Sequence, residues 1–379
     1  MSRSFSAALR RAGRLFRPAK ANKSIRSIHK AMTGVVVAAA LAPLAALKPK
    51  TTKPRKAAPP KAGRSLGIVL RQLRAAQSLL PGAGSAPQAA SPRIPKGAQY
   101  LVRTHRSAAG SRDYKIYLPA SQPKRPKGLI LMLHGCHQTP DDFALGTHMN
   151  ALAEKHGLAV AYPAQTARQN AASCWNWFKP GNQIRGAGEP AILASLARKL
   201  TKDFGLDRGS VFVAGLSAGG AMAAILADVY PDVFSAAGVH SGLARGAARD
   251  LGSAILAMRN GSAARSIALD TAGQAHPVRR IVFQGDADST VHPSNAATIV
   301  AAALGSDATP ERTSKKSVRG RGYARSDFAG PDGRVVLELW MLNGAGHAWS
   351  GGRPSGSYTD STGPDASAHM VRFFLANSA

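Results

Sequence analysis

Ser217 lies between two glycines in Gly215-Leu-Ser217-Ala-Gly219, with Val211-Phe-Val213 before it and the alanine-rich Gly220-Ala-Met222 after it. The pattern predicts a strand, a sharp turn and a helix, with the serine hydroxyl exposed on the turn. Glycine is required at 215 and 219 because so tight a turn brings two backbones together where a Cβ would collide. A serine hydroxyl is a poor nucleophile at neutral pH, so attack on a carbonyl needs a base to take its proton and a carboxylate to orient that base. Both follow downstream. Asp288 comes just after the run Arg280-Ile-Val-Phe-Gln-Gly285, and His347 sits in Asn343-Gly-Ala-Gly-His347 behind the apolar run Val335 to Met341. The neighbouring Asp286 reads as a turn former that hydrogen-bonds backbone.

The oxyanion produced by serine attack needs backbone N–H donors. One belongs to Ala218, directly after the nucleophile, and the loop His134-Gly-Cys136-His-Gln138 at the end of the apolar run Gly128 to Leu133 offers the other at Cys136. His134, Cys136 and His137 are also metal-ligand types, but a tight turn lets few of them face one ion and no fourth ligand is evident, so no metal and no cofactor is expected. Cys174-Trp-Asn-Trp-Phe178 places three aromatics in five residues of a chain that is 6% aromatic. Trp175, Trp177 and Phe178, with Trp349 and His134, are candidates for a wall that receives an acyl or polymer chain. The alternative reading of Trp175 and Trp177 is as core anchors. The two cysteines of the chain, Cys136 and Cys174, either bridge wall to oxyanion loop or remain buried thiols, the bridge being favoured if the protein is exported.

Short apolar runs alternating with helical periodicity must position these groups. Strands are predicted at Tyr114 to Leu118, Gly128 to Leu133, Leu158 to Tyr162, Val211 to Ala214, Ser235 to Val239, Arg280 to Gln284 and Val335 to Met341. Helices are predicted at Asp141 to His156, Glu189 to Phe204, Ser294 to Leu304 and Asp365 to Ala376. Such alternation implies an α/β class with a mostly parallel central sheet and helices on both faces, its chemistry at the carboxyl ends of the strands.

The formal net charge of +30 is unevenly placed. The first 100 residues hold 20 Lys and Arg and no acid, whereas the remainder holds 30 basic and 20 acidic residues. Residues 1–97 therefore read as a basic, low-complexity, largely disordered arm, and 98–379 as the catalytic domain. The arm is a leader, or it attaches residues 1–64 to a granule or another anionic surface. Its few aromatics for base stacking argue against nucleic acid. Residues 34–47 form an apolar stretch broken by Pro43, of signal-peptide length and short of the ~20 residues a transmembrane helix needs. The expected location is extracellular or periplasmic, with a cytoplasmic, granule-associated protein as the alternative.

Taken together, His134-Gly-Cys-His-Gln138, Cys174-Trp-Asn-Trp-Phe178, Gly188-Glu-Pro190, Gly215-Leu-Ser-Ala-Gly-Gly-Ala-Met222, Tyr230-Pro-Asp-Val-Phe234, His240-Ser-Gly242, Gly285-Asp-Ala-Asp-Ser-Thr-Val-His-Pro293 and Gly346-His-Ala-Trp349 resemble the poly(3-hydroxybutyrate) depolymerase family of esterases. The resemblance runs from about Ser111 to Phe374. It implies an α/β-hydrolase fold and serine-dependent hydrolysis of poly- or oligo(3-hydroxyalkanoate), with Ser217, Asp288 and His347 as the triad. No C-terminal linker and polymer-binding domain is expected, and the arm lies outside the resemblance. Related esterases that release feruloyl or acetyl groups from plant polysaccharide share this core, so they are the alternative reading. A binding protein that works through the arm is the alternative of another class.

Overall fold

The runs that become β3 to β5 are buried at every position, as strands covered on both faces must be. In this computed structural model residues 91–262 and 278–376 are described, and they fall in one unit, Ala83–Ala379. The expected arm up to residue 90, including the apolar stretch 34–47, lies outside the described residues.

The chain enters through the antiparallel hairpin β1 (Gln99–Ser107) and β2 (Gly110–Leu118). It continues through β3 (Leu129–Leu133), α1 (Pro140–Thr147), α2 (Met149–His156), β4 (Ala159–Pro163), α3 (Gly188–Phe204), β5 (Val211–Leu216), α4 (Ala218–Val229), β6 (Ala236–His240) and α5 (Leu251–Asn260). The last part holds β7 (Arg279–Gly285), α6 (Ser294–Leu304), β8 (Arg312–Val318), β9 (Arg321–Ala329), β10 (Val335–Leu342), the short β11 (Trp349–Ser350) and β12 (Thr359–Asp360), and α7 (Ala366–Leu375). Ten strands make one sheet in the order β1-β2-β4-β3-β5-β6-β7-β10-β9-β8. The six from β4 to β10 run parallel, and both flanks are antiparallel. This is the α/β-hydrolase fold.

Alternation along each strand divides the core between the two faces. Leu129, Leu131, Leu133, Val211 and Val213 pack beneath α3 and α4, whereas Ile130, Met132, Phe212 and Ala214 pack against α1, α2 and α7. The edge strand β8 carries Arg312, Lys315 and Lys316 exposed, charges that discourage pairing with another chain.

Two expectations are corrected. The stretch Asp141 to His156 is two helices, because His148 adopts φ 44° and its ring meets Asp365 at 3.3 Å. β1, β8, β9 and α5 were not foreseen, since their apolar positions are interrupted by charge or belong to edges with little to bury.

The strand that leads to His347, β10, is fixed by a buried carboxylate. Glu338 accepts from Arg325 Nη2 at 3.0 Å, Trp340 Nε1 at 3.0 Å and Arg372 Nη2 at 2.6 Å. Replacing it leaves the buried Trp340 N–H without a partner and unpairs Arg372, so Glu338→Ala is expected to lower unfolding stability by about 2 kcal/mol in urea titration.

Candidate active site

Ser217 sits at the carboxyl end of β5 with φ 57° and ψ −119°, a conformation that strains any residue but glycine by roughly 1–3 kcal/mol. Its surroundings hold it there. The Ser217 N–H donates to His240 O at 2.9 Å, and its carbonyl accepts from Ala221 N–H at 2.9 Å. A Cβ on Gly215 would lie 2.4 Å from the Gly219 backbone, and one on Gly219 would lie 2.0 Å from Leu133 O. The glycines therefore allow three backbones to meet under the serine, whose residue is 8% exposed.

His347 follows β10 and Asp288 follows β7, the strand paired with it. His347 Nδ1 lies 2.8 Å from Asp288 Oδ2. Because an ionised carboxylate can only accept, this contact assigns the proton to Nδ1 and leaves Nε2 as the basic nitrogen. Asp288 Oδ1 accepts from Thr290 N–H at 2.9 Å and Val291 N–H at 2.8 Å, and Gln284 Nε2 donates to Oδ2 at 3.2 Å. Burial pushes the Asp288 carboxyl up, but the His347 contact and the two backbone donors outweigh it and hold the group below the usual carboxylate range. Asp286 braces the histidine loop rather than only its own turn, accepting from Gly344 N–H at 2.6 Å.

The loop after β3 abuts the elbow, since a Cβ on Gly135 would lie 3.6 Å from Ser217 Cβ. Its amides are used in turn: Gly135 N–H donates to Gln138 Oε1, His137 N–H to Ala172 O and Gln138 N–H to Gly135 O. The amides of Cys136 and Ala218 donate to no acceptor among the described residues, as anion-binding donors require. Cys136 is joined to Cys174 by a disulfide.

A serine on a strained turn, a histidine–carboxylate pair and two unused amides at one sheet edge are the parts needed for acyl transfer. Residues 112–319 match the model of the family described as Esterase PHB depolymerase. The chain belongs to that family. Poly(3-hydroxyalkanoate) depolymerase C of Paucimonas lemoignei is 30% identical to it over 240 residues, 61% of this chain and 56% of the relative. Poly(3-hydroxybutyrate) depolymerase of Ralstonia pickettii is 27% identical over 283 residues, 69% of this chain and 57% of the relative. The chain thus spans little more than half the length of these two depolymerases. Among solved structures, an acetyl xylan esterase from Aspergillus awamori aligns with a TM-score of 0.54 at 22% identity, over 66% of this chain and 93% of that one, a likeness of fold.

In this Esterase PHB depolymerase chain most of the aromatic residues considered for a wall are buried. Trp175 is 0%, Trp349 1% and Trp177 4% exposed, so these rings pack in the interior here, while Phe178 is partly open. Trp175 Nε1 donates to His134 O at 3.1 Å, and Trp349 Nε1 donates to Ser367 Oγ at 3.0 Å. His134 is likewise internal. Its Nδ1 meets Gly135 O at 2.8 Å, its Nε2 accepts from Gln165 N–H at 3.0 Å, and burial pushes its pKa down to about 4. With that ring occupied and Cys136 in a disulfide, the metal reading of the loop loses two of its donors.

Two supporting groups went unassigned in the sequence although their motifs were visible. His240, at the end of β6, accepts Ser350 N–H on Nε2 at 3.1 Å and stacks on Phe283 and Trp349. Burial, and then the His347 charge, push it down to about 3, so it remains a neutral acceptor. Glu189 takes Asn176 N–H and Nδ2 and Gln165 Nε2, tying the Cys174 segment to the end of β4. The disulfide closes a loop with a sequence separation of 38. On loop entropy, its reduction is expected to cost about 4 kcal/mol of stability, read as a lower denaturation midpoint with reductant present.

Proposed function

We propose that this protein is a serine esterase that hydrolyses poly- or oligo(3-hydroxyalkanoate), such as poly(3-hydroxybutyrate), through an acyl-enzyme on Ser217. The observation that carries the reading is the 2.8 Å His347–Asp288 contact at the same sheet edge as the strained Ser217, in a chain of the Esterase PHB depolymerase family. His347 Nε2 takes the Ser217 proton as Oγ attacks the ester carbonyl, and Asp288 stabilises the imidazolium that results. The N–H groups of Cys136 and Ala218 receive the oxyanion. Collapse of the tetrahedral species returns the proton to the leaving alkoxide, and water repeats the sequence on the acyl-enzyme to release a hydroxy acid. No cofactor enters this scheme.

The disulfide supports an extracellular or periplasmic location, where such bonds persist. Residues 1–64, within a stretch rich in Lys and Arg and free of acids, supply attachment to a granule or anionic surface. Among the described residues no helix is long and apolar enough to cross a membrane.

Ser217→Ala is expected to abolish turnover of p-nitrophenyl butyrate in a steady-state assay while circular dichroism is unchanged. Asp288→Asn, which removes the charge but keeps the shape, is expected to reduce kcat by roughly 10³- to 10⁴-fold. Released 3-hydroxybutyrate from amorphous polymer, compared with release from feruloylated and acetylated xylan, tests the substrate. Faster release from xylan would overturn the polyester assignment and leave the esterase assignment standing.

A further inference from the structure

The loop that presents Cys136 ends in a side chain for which the esterase scheme has no role. Gln138 is 3% exposed and folds back over its own turn, its Oε1 accepting Gly135 N–H at 2.9 Å. Its other end points away from that turn. Nε2 donates to Asp142 Oδ2 at 2.8 Å and to Ser357 O at 3.1 Å, with Ser357 Oγ at 3.3 Å. Asp142, in α1, completes the contact by accepting Ser357 N–H on Oδ1 at 2.8 Å and the Ser357 hydroxyl on Oδ2.

Ser357 belongs to the segment between β11 and β12, which follows His347. That segment is seated on α1. Arg353 N–H donates to Gly146 O at 2.8 Å, and a Cβ on Gly356 would lie 2.4 Å from Asp142 O, so the two backbones touch. One buried amide therefore holds the oxyanion loop with its acceptor end and the segment behind the histidine with its donor end. Side-chain amides alone carry an acceptor and two donors on one planar group of this reach. Glutamate would set two carboxylates face to face, and methionine would supply neither bond.

We propose that Gln138, held by Asp142 and Ser357, is a positioning residue that keeps the Cys136 oxyanion donor in register with the β11–β12 segment that follows His347. This rests on the esterase reading of Ser217. The titratable groups around position 138 are Asp142 and, through the shared Gly135 carbonyl, His134; Asp142 in turn acts on Tyr358, whose phenol is raised by burial and then by that carboxylate.

The test uses the full chain with Gln138→Met and Gln138→Glu, measuring kcat and KM for p-nitrophenyl butyrate from pH 5.5 to 8.5 beside Tm. Gln138→Met is expected to lose about 10- to 100-fold in kcat with KM changed less than about twofold, since a misplaced oxyanion donor costs transition-state rather than ground-state binding. Gln138→Glu is expected to show a similar deficit at pH 8. Its kcat relative to the unaltered protein should then rise about tenfold by pH 5.5, because two facing carboxylates raise the pKa of one, and its proton restores a donor toward the other. A deficit in Gln138→Glu that does not change with pH, or kcat within about twofold of the unaltered protein in both variants, overturns the proposal.

Deuterium exchange reads the same contact without turnover. In Gln138→Met, exchange over 134–138 and over 351–360 should accelerate together; if either segment is unchanged, the proposal fails. Should the unaltered protein hydrolyse no ester, the esterase reading fails, and joint acceleration or its absence still decides whether Gln138 couples the two loops.

Discussion

Three backbones meet beneath Ser217, and the rest of the site is placed by that contact. Gly215 and Gly219 admit the start of α4 to within touching distance of β5 and of the Leu133 carbonyl. Leu133 ends β3 and runs directly into His134 and Gly135, so the contact that strains the serine also locates the loop that carries Cys136. Strain at such a turn persists only where neighbours over-determine it. Here the His240 carbonyl on one side and the first turn of α4 on the other do so.

Much of this was legible in the sequence, and the limits of legibility are physical. The central strands could be read because continuous apolar runs of strand length have few other uses in a chain that alternates with helical periodicity. Ser217, Asp288 and His347 could be singled out because each follows such a run. β8 and β9 could not, since an edge hairpin bearing Arg312, Lys315, Lys316 and Arg325 has no apolar period to betray it. The burial of Trp175, Trp177 and Trp349 could not be read for a different reason: density of aromatics along a chain does not say which face they turn to, and indole N–H groups that find internal acceptors belong inside. His240, Glu189 and Gln138 stood in recognised motifs without a role, because each role is a contact to a segment distant in sequence.

These groups share a character. The interior near the site is polar but largely paired, with His240 neutral, Glu189 surrounded by amide donors and Gln284 joined to Asp288 and to the Val291 carbonyl. Paired buried groups of this kind are directional, so they select one arrangement of the loops where apolar packing would tolerate several. The disulfide adds a covalent limit on the same loop.

β6 carries none of Ser217, Asp288 and His347, yet it separates the strand that ends at Ser217 from the strand that leads to Asp288. Neighbouring strands lie about 4.8 Å apart, so β5 and β7 are roughly 10 Å apart, a gap set by backbone hydrogen bonding and indifferent to side chains. An imidazole arriving from β10 has that gap to bridge. The sheet thus acts as a ruler whose graduations cannot drift, and changes of ester preference in this scaffold must be written in the loops above it.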